Sequence, residues 1–252
     1  MKIAHISDIH CNYGTDFNSK IFEKAVKILN NIESELIFIS GDLTTDGLLP
    51  EYEFAQEKLK EIDGKKVIIP GNHDERNLGW KLFPKFFGET DFIHNYDSVN
   101  LIGLASSEPD KDDGRLGRGR HQLIERGVKN DNLTIIGFHH HVIPVPNSGR
   151  ERNIIEDAGE TLDIILKNDI PLVLMGHRHV PFGVKIHKTL LVNAGTFSCN
   201  RTRAYFGNTF NVIDLKDEKI IVKMVNIQKD KMKKMIEYNF EDGCCSNRYF
   251  DL

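Results

Sequence analysis

Seven residues of metal-binding type stand at related places in this chain. Asp8, Asp42, Asn72, His139 and His177 each lie at or just past the end of a short apolar run, at 3–6, 36–39, 67–69, 133–138 and 172–175. His10 and His179 follow two residues after the first and the last of them. Mixed nitrogen and oxygen donors without thiolate suit manganese, iron, cobalt, nickel or zinc, and argue against magnesium or calcium, which favour oxygen. Short β-branched runs read as buried strands. In open α/β sheets, ligands bind just beyond the carboxyl ends of strands. Residues far apart in sequence therefore converge on one small site, which points to a metalloenzyme.

The elements that must position these residues can be read from the intervening sequence. Residues 17–32 carry Ile21, Phe22, Ala25, Val26 and Leu29 at helical spacing, with Asn18 or Ser19 as the cap. A second helix is expected over 51–62, after Pro50 and before Gly64, and a third over 157–166. Two short strands are expected near 92–93 and 99–104. After His179, the runs at 184–186, 190–192, 209–213 and 220–225 alternate between turns and read as an antiparallel set. Trp80, Phe83, Phe86 and Phe87 read as core packing rather than a cofactor box. Residues 106–120, rich in Gly, Asp and Arg, read as a solvated loop. Residues 229–252, basic at the start and polar at the end, read as a poorly packed appendage.

A chain of 252 residues can form one large α/β domain, burying about three quarters of the surface exposed when unfolded. Its formal charge of −4 gives no global pull toward nucleic acid or an anionic membrane. No apolar stretch approaches the roughly 20 residues needed to span a bilayer. The N-terminus runs directly into the first strand, so no signal peptide is expected and a cytoplasmic protein is the expectation. Cys11, Cys199, Cys244 and Cys245 show neither zinc-finger spacing nor a disulfide framework. Cys244 and Cys245 read as incidental tail thiols, and Cys11 is assigned as neither ligand nor nucleophile.

Taken singly the fragments are weak, since Asp8-x-His10 is a frequent chance pairing. Gly71-Asn72-His73-Asp74 is more specific, placing an amide, an imidazole and a carboxylate at a turn. His139-His140-His141 and Gly176-His177-Arg178-His179 complete a series in the order DxH, GDLTTDG, GNHD, HHHVIPVP, GHRH. Over roughly residues 1–199 the chain thereby resembles the calcineurin-like metallophosphoesterase family. Within it, the pattern is most similar to the class III cyclic-nucleotide phosphodiesterases and their archaeal and bacterial relatives, in which a doubled or tripled histidine is followed closely by prolines. The resemblance implies an α/β fold, a four-layer α/β/β/α sandwich of two mixed β-sheets flanked by helices. Residues 1–228 would form the metallophosphoesterase domain, and 229–252 a C-terminal tail or appendage of it.

Four imidazoles, two carboxylates and an amide are too few for two closed six-coordinate sites. They suffice for two sites that share a carboxylate and keep positions open for water and phosphate. The resemblance implies Asp8, His10, Asp42 and His179 on a first ion. Asp42 would bridge to a second, completed by Asn72, His139 and His177. In the histidine run His139 is chosen because it follows the strand and matches the family's first histidine, with His140 the alternative. The metals stay open among Mn, Fe, Zn, Co and Ni.

Paired dications lower the pKa of bound water to about 7. The implied reaction is hydrolysis of a phosphodiester, with 3′,5′-cyclic nucleotides the implied substrate, by a metal-bridging hydroxide attacking in line. Asp42 and His73 are the implied catalytic residues, with His73 protonating the leaving oxygen. Asn72, His73 and His140 are the implied substrate contacts. Asp74 either orients His73 or fixes the turn, and His141 packs or orients its loop. The competing reading is a broad-specificity phosphatase or phosphodiesterase on nucleotides or other small phosphoesters. A nuclease lacks support because no basic and aromatic stripe is present, and a non-catalytic scaffold has no reason to keep every ligand together with His73. The expected partner is a small-molecule phosphoester, without membrane or nucleic acid, and a dimer is compatible with the sequence.

The remaining candidates have plainer expectations. His5 reads as a satisfied core histidine, and His94, His121 and His187 as surface or packing residues. Arg115, Arg118 and Arg120 read as part of a solvated loop, although arginines there could steer an anion. Arg201 and Arg203 could approach the rim of the site.

Overall fold

The apolar runs form strands where their β-branched content calls for them, and parallel pairing brings their ends together. The computed structural model describes residues 1–96, 98–128, 132–149 and 154–248. Strands β1 (Lys2–Ile6), β2 (Leu36–Ile39) and β3 (Lys66–Ile68) pair in parallel. They are joined through helices α1 (Ser19–Asn30) and α2 (Leu49–Lys60). Helix α3 (Gly79–Phe87) leads to the β4 (Phe92–Tyr96) and β5 (Val99–Gly103) hairpin. Then come α4 (Gly117–Gly127), β6 (Leu133–Gly137), α5 (Ala158–Lys167) and β7 (Leu172–Met175). Strands β8 (Phe182–Ile186), β9 (Thr189–Asn193), β10 (Thr209–Lys216), β11 (Lys219–Asn226), β12 (Lys231–Asn239) and β13 (Cys245–Asn247) complete the chain.

These strands make two mixed sheets. One runs β13-β12-β11-β10-β1-β2-β3 and the other β4-β5-β6-β7-β9-β8. Ala4, Ile6, Ile37, Ile39, Phe210 and Val212 on one face of the first sheet pack with Phe22, Leu29, Tyr52, Ala55 and Phe83 of α1, α2 and α3. Its other face, with Ile3, Phe38, Ile213 and Val222, packs with Leu101, Ile135 and Leu172 of the second sheet, and Ile124 and Ile165 of α4 and α5 join that core. The result is the four-layer α/β/β/α arrangement. The sheets approach closely at Gly137, where an added Cβ would meet the Phe38 ring at 2.0 Å.

Local signals explain the helices. Asn18 caps α1, its side chain accepting from Ile21 N at 3.0 Å, and Phe22, Ala25, Val26 and Leu29 form the buried stripe. Helix α2 begins two residues before the expected start because the Glu51 carboxylate accepts from Asp46 N at 2.7 Å and Leu48 N at 3.4 Å. No described helix is long and apolar enough to cross a membrane.

Three expectations change. The four strands after His179 are not one antiparallel set. They are two hairpins in different sheets, and β9 runs parallel to β7. Each hairpin alternates locally, so the sequence pattern does not separate them. The stretch 106–120 is a loop only as far as Leu116, since α4 starts at Gly117. Beyond Lys229 the chain is not a loose appendage. Strand β12 pairs along β11, and its Met235 and Ile236 are wholly buried.

Candidate metal centre

The parallel strands deliver their following loops side by side. Asp8 N donates to Gly41 O at 3.0 Å, His10 N to Asp42 O at 3.0 Å and Gly176 N to His139 O at 2.8 Å. Asp8, His10, Asp42, His177 and His179 all adopt left-handed backbone conformations, with φ between 54° and 73°. Each such non-glycine residue costs about 1 kcal/mol or more. In Asp8-Ile9-His10 and His177-Arg178-His179 this conformation recurs at alternate residues. That answers how both histidines of a Gly-His-x-His segment face one site. Glycines allow the loops to approach: a Cβ on Gly71 would lie 2.2 Å from Asp42 Oδ1, and one on Gly176 would lie 2.0 Å from Ser7 Oγ.

Donor atoms converge in two groups about Asp42. His179 Nε2 lies 3.1 Å from His10 Nε2 and 3.1 Å from Asp8 Oδ1. Asp42 Oδ2 lies 3.6 Å from His10 Nε2 and 3.3 Å from His139 Nε2, so one oxygen faces both groups. On the second side, His177 Nδ1 lies 3.0 Å from Asn72 Oδ1 and 3.3 Å from His139 Nε2. Metal–nitrogen bonds of about 2.0–2.1 Å at right angles would set neighbouring donors about 3 Å apart, which these separations match. Asp8 Oδ1 is wholly buried and, among the described residues, makes no well-directed hydrogen bond, as a ligand atom would. The residues fit a pair of transition-metal ions.

Outer contacts set the imidazole tautomers. His139 Nδ1 donates to Ser40 O and His179 Nδ1 to Arg201 O, each at 2.6 Å, which turns the Nε2 lone pairs inward. Burial pushes the Asp8 and Asp42 carboxyls up, but His179 beside Asp8 and His139 beside Asp42 outweigh it and hold both well below the usual range. Burial takes His10 down to about 4, whereas for His139 the Asp42 charge overcomes burial and lifts it to about 9. The site thus keeps its carboxylates ionised although buried.

The implied catalytic and substrate residues are placed as follows. His73 N donates to Asp42 Oδ1 at 2.9 Å, and its ring Nδ1 is 2.5 Å from Thr45 O. The carbonyl therefore orients His73, and Asp74 does not. Asp74 instead accepts from Gly71 N, Thr44 N and Thr44 Oγ1, each at 2.9 Å, and fixes the turn. His140 is fully buried with both ring nitrogens engaged, Nδ1 with Ser106 Oγ at 2.8 Å and Nε2 with Asp112 O at 3.1 Å. His141 stacks on His177 with ring centroids 5.8 Å apart. His5 is buried, with Nε2 at 3.0 Å from Ser40 Oγ, but its Nδ1 has no partner among the described residues, so it is only half satisfied there.

The cleft of about 200 Å³ over this centre is lined by Asp42, Asn72, His73, His177 and His179, together with Arg76, Asp112, Arg178, Arg201 and Arg203. Arg201 and Arg203 reach the rim as expected. Arg115, Arg118 and Arg120 do not line it, and Arg120 pairs with Asp91 at 2.6 Å. Arg76, Asp112 and Arg178 escape the sequence reading. Arg178 stood inside a motif and Arg76 just beyond one, whereas Asp112 carried no local signal. A larger cavity of about 430 Å³, lined by Lys24, Ile28, Val225 and Met232, gathers no His, Cys and carboxylate donor group among the described residues.

A family model of the calcineurin-like phosphoesterases matches residues 1–181. The chain belongs to that family. It is a hydrolase of phosphoesters, and the matched span contains all seven converging residues. The chain is 25% identical over 203 residues to a probable cyclic nucleotide phosphodiesterase of Coxiella burnetii, covering 77% of this chain and 82% of the relative. It is 27% identical over 205 residues to a 3′,5′-cyclic-nucleotide phosphodiesterase of Nostoc sp., covering 74% of each. Its fold is similar to that of a dimetal phosphatase from Danio rerio, with a TM-score of 0.71 over 93% of this chain and 98% of that one, at 10% identity.

Proposed function

We propose that this hydrolase is a dinuclear-metal phosphodiesterase acting on small phosphodiesters of the 3′,5′-cyclic-nucleotide class. The observation that carries the reading is Asp42 Oδ2, set 3.6 Å from His10 Nε2 and 3.3 Å from His139 Nε2. Asp8, His10, His179 and Asp42 would hold one ion, and Asp42, Asn72, His139 and His177 the other. Transition-metal ions bound there would neutralise charge on the phosphoryl oxygens and activate water near neutral pH. Mn, Fe, Zn, Co and Ni all suit the donor set.

The protein's own residues supply orientation and a proton. Asn72 Nδ2 donates to Asp112 Oδ1 at 3.2 Å, and Arg76 pins the same oxygen at 2.7 Å, so Asn72 Oδ1 is turned to the centre. With Nδ1 of His73 on the Thr45 carbonyl, its Nε2 is the nitrogen available to protonate the leaving oxygen. We assign His140 to holding Ser106 and the Asp112 backbone rather than to phosphate, because both its nitrogens are spent. The names of the Coxiella and Nostoc relatives support the substrate class. A small cleft and a charge of −4 favour a small-molecule partner over a nucleic-acid strand.

With added manganese, turnover of bis-p-nitrophenyl phosphate, 3′,5′-cyclic AMP, p-nitrophenyl phosphate and single-stranded DNA should be compared. The small diesters should be cleaved faster than monoester or DNA. Faster cleavage of DNA than of every small diester would overturn the ranking, and tight metals with no turnover at all would leave a scaffold.

A further inference from the structure

The hollow of about 430 Å³ lies between α1 and the tip of the β11–β12 hairpin, and among the described residues it shares no lining with the metal-centre cleft. Its floor is apolar. Val225 is 2% exposed, its cross-strand partner Met232 is 45% exposed, and Ile28 and Ile32 beside them are half-buried. Its rim is basic. Lys24 and Lys27 come from α1 and Lys231 from β12, against one carboxylate, Asp230. That local sign is opposite to the charge of the whole chain, which is −4.

The walls are fixed by the fold. Lys24 Nζ donates to Gln228 O at 2.8 Å, which ties the helix to the hairpin tip. The Gln228 side chain clasps Asn208, its Nε2 donating to Asn208 Oδ1 at 2.6 Å and its Oε1 accepting from Asn208 N at 2.9 Å. Asn226 holds the turn, accepting from Lys229 N at 2.9 Å and donating to Phe206 O at 2.7 Å. A preformed hollow of a few hundred Å³ with an apolar lining and a few polar groups is the usual form of a small-molecule site, and such pre-ordering lowers the cost of binding. Among the described residues neither Lys27 nor Lys231 makes an ion pair. A neutral apolar ligand would crowd these ammonium groups without giving them a partner. A compact inorganic anion would leave the Met232 and Ile28 surface in water. A ligand anionic at one end and apolar at the other satisfies both.

We infer that this hollow is a binding site for an amphipathic organic anion, a carboxylate or phosphate carried on an acyl or aryl body. The head lies against Lys27 and Lys231, and the body lies on Ile28, Val225 and Met232. The site stands apart from the phosphoesterase reading, because none of its residues belongs to the metal centre.

The test is isothermal titration of the manganese-loaded enzyme with octanoate and with octylphosphonate, whose carbon–phosphorus bond a phosphoesterase does not cut. Octanol, acetate and methylphosphonate are the controls. At least one octyl anion should bind about tenfold or more tighter than octanol and than its tailless counterpart. The better of the two tells a carboxylate head from a phosphate head. The advantage over octanol should shrink as salt is added, and should fall by about fivefold or more when Lys27→Ala and Lys231→Ala are combined. Met232→Ser should instead reduce the advantage of the tail. All three positions are exposed, so both variants should keep their metal content and their turnover of bis-p-nitrophenyl phosphate. No binding of either octyl anion, or binding no tighter than octanol, overturns the site. Binding that survives both variants also overturns it and places the anion on the metals instead. None of these outcomes alters the phosphoesterase reading, which turnover tests separately.

Discussion

Substituting Gly71 by alanine tests the proposed bridging role of Asp42 without touching a donor atom. A Cβ at this position would lie 2.2 Å from Asp42 Oδ1 and 2.5 Å from Asp42 N, where ordinary contact starts at 3.4 Å. The carboxylate must therefore retreat by roughly 1 Å, or the backbone of the Gly71-Asn72 turn must do so. Neither move is free. Asp42 Oδ1 holds His73 N at 2.9 Å, and Gly71 N is held by Asp74 Oδ2 at 2.9 Å, so displacement spreads to His73 and Asn72. A misplacement of about 1 Å costs on the order of 10²-fold in rate, and overpacking a buried site costs about 1–3 kcal/mol of stability. The assay is kcat/KM on bis-p-nitrophenyl phosphate, with metal content by elemental analysis and a urea midpoint. Gly119→Ala in α4 is the control, because nothing among the described residues lies within 4 Å of its Cβ. It should keep wild-type turnover and gain about 0.5–1 kcal/mol. A Gly71→Ala protein with full metal content and wild-type turnover would refute the placement of Asp42 at the centre of the chemistry.

Three further outcomes are expected. Asp42→Asn should lose bound metal and turnover together, as seen by elemental analysis beside kinetics, and a variant that retains both ions contradicts the shared-ligand role. His73→Ala should keep its metal and lose about 10²–10⁴-fold in kcat, the usual size of a general-acid contribution, with the loss smallest for the best leaving group. An equal loss across leaving groups of different pKa removes the proton-donor role. Glu75 is buried, and burial lifts its carboxyl to about 7. The folded state then holds this proton more tightly than the unfolded chain, so stability falls as pH rises from about 4.5 to about 7. Glu75→Gln should raise stability by about 1–3 kcal/mol at pH 8 and little at pH 4. Parallel urea melts that show the same gap at both pH values would refute this.

Periodicity and end signals are local, and they made much of the fold legible. The stripe Phe22, Ala25, Val26 and Leu29 with its Asn18 cap predicts α1, and the observed helix starts one residue after that cap. Helix α3 was hidden because Pro84 and a glycine start interrupt its sequence pattern, while the burial of Phe83 that supports it is tertiary. The packing of β12 was hidden behind its lysines. Lys231 and Lys233 are exposed, whereas Met235 and Ile236 gain their burial from the rest of the fold.

For the centre, residue type and order were enough to single out the seven residues that the fold brings together, because each stands shortly past the end of a strand. What the chain does between strand end and donor was decided in three dimensions. Left-handed backbone at Asp8, His10, Asp42, His177 and His179 costs energy locally and is held by contacts such as His177 N to Asp8 Oδ2 at 3.1 Å, a pairing across 169 residues. The choice of Thr45 rather than Asp74 to orient His73, and the meeting of Arg178 with Arg203 on Ser148, likewise depend on loops from different strands. Sequence alone determined which groups are available and on which strand ends they stand. Tertiary structure decided which way each one turns, because that orientation is set by partners brought close only when the sheets assemble.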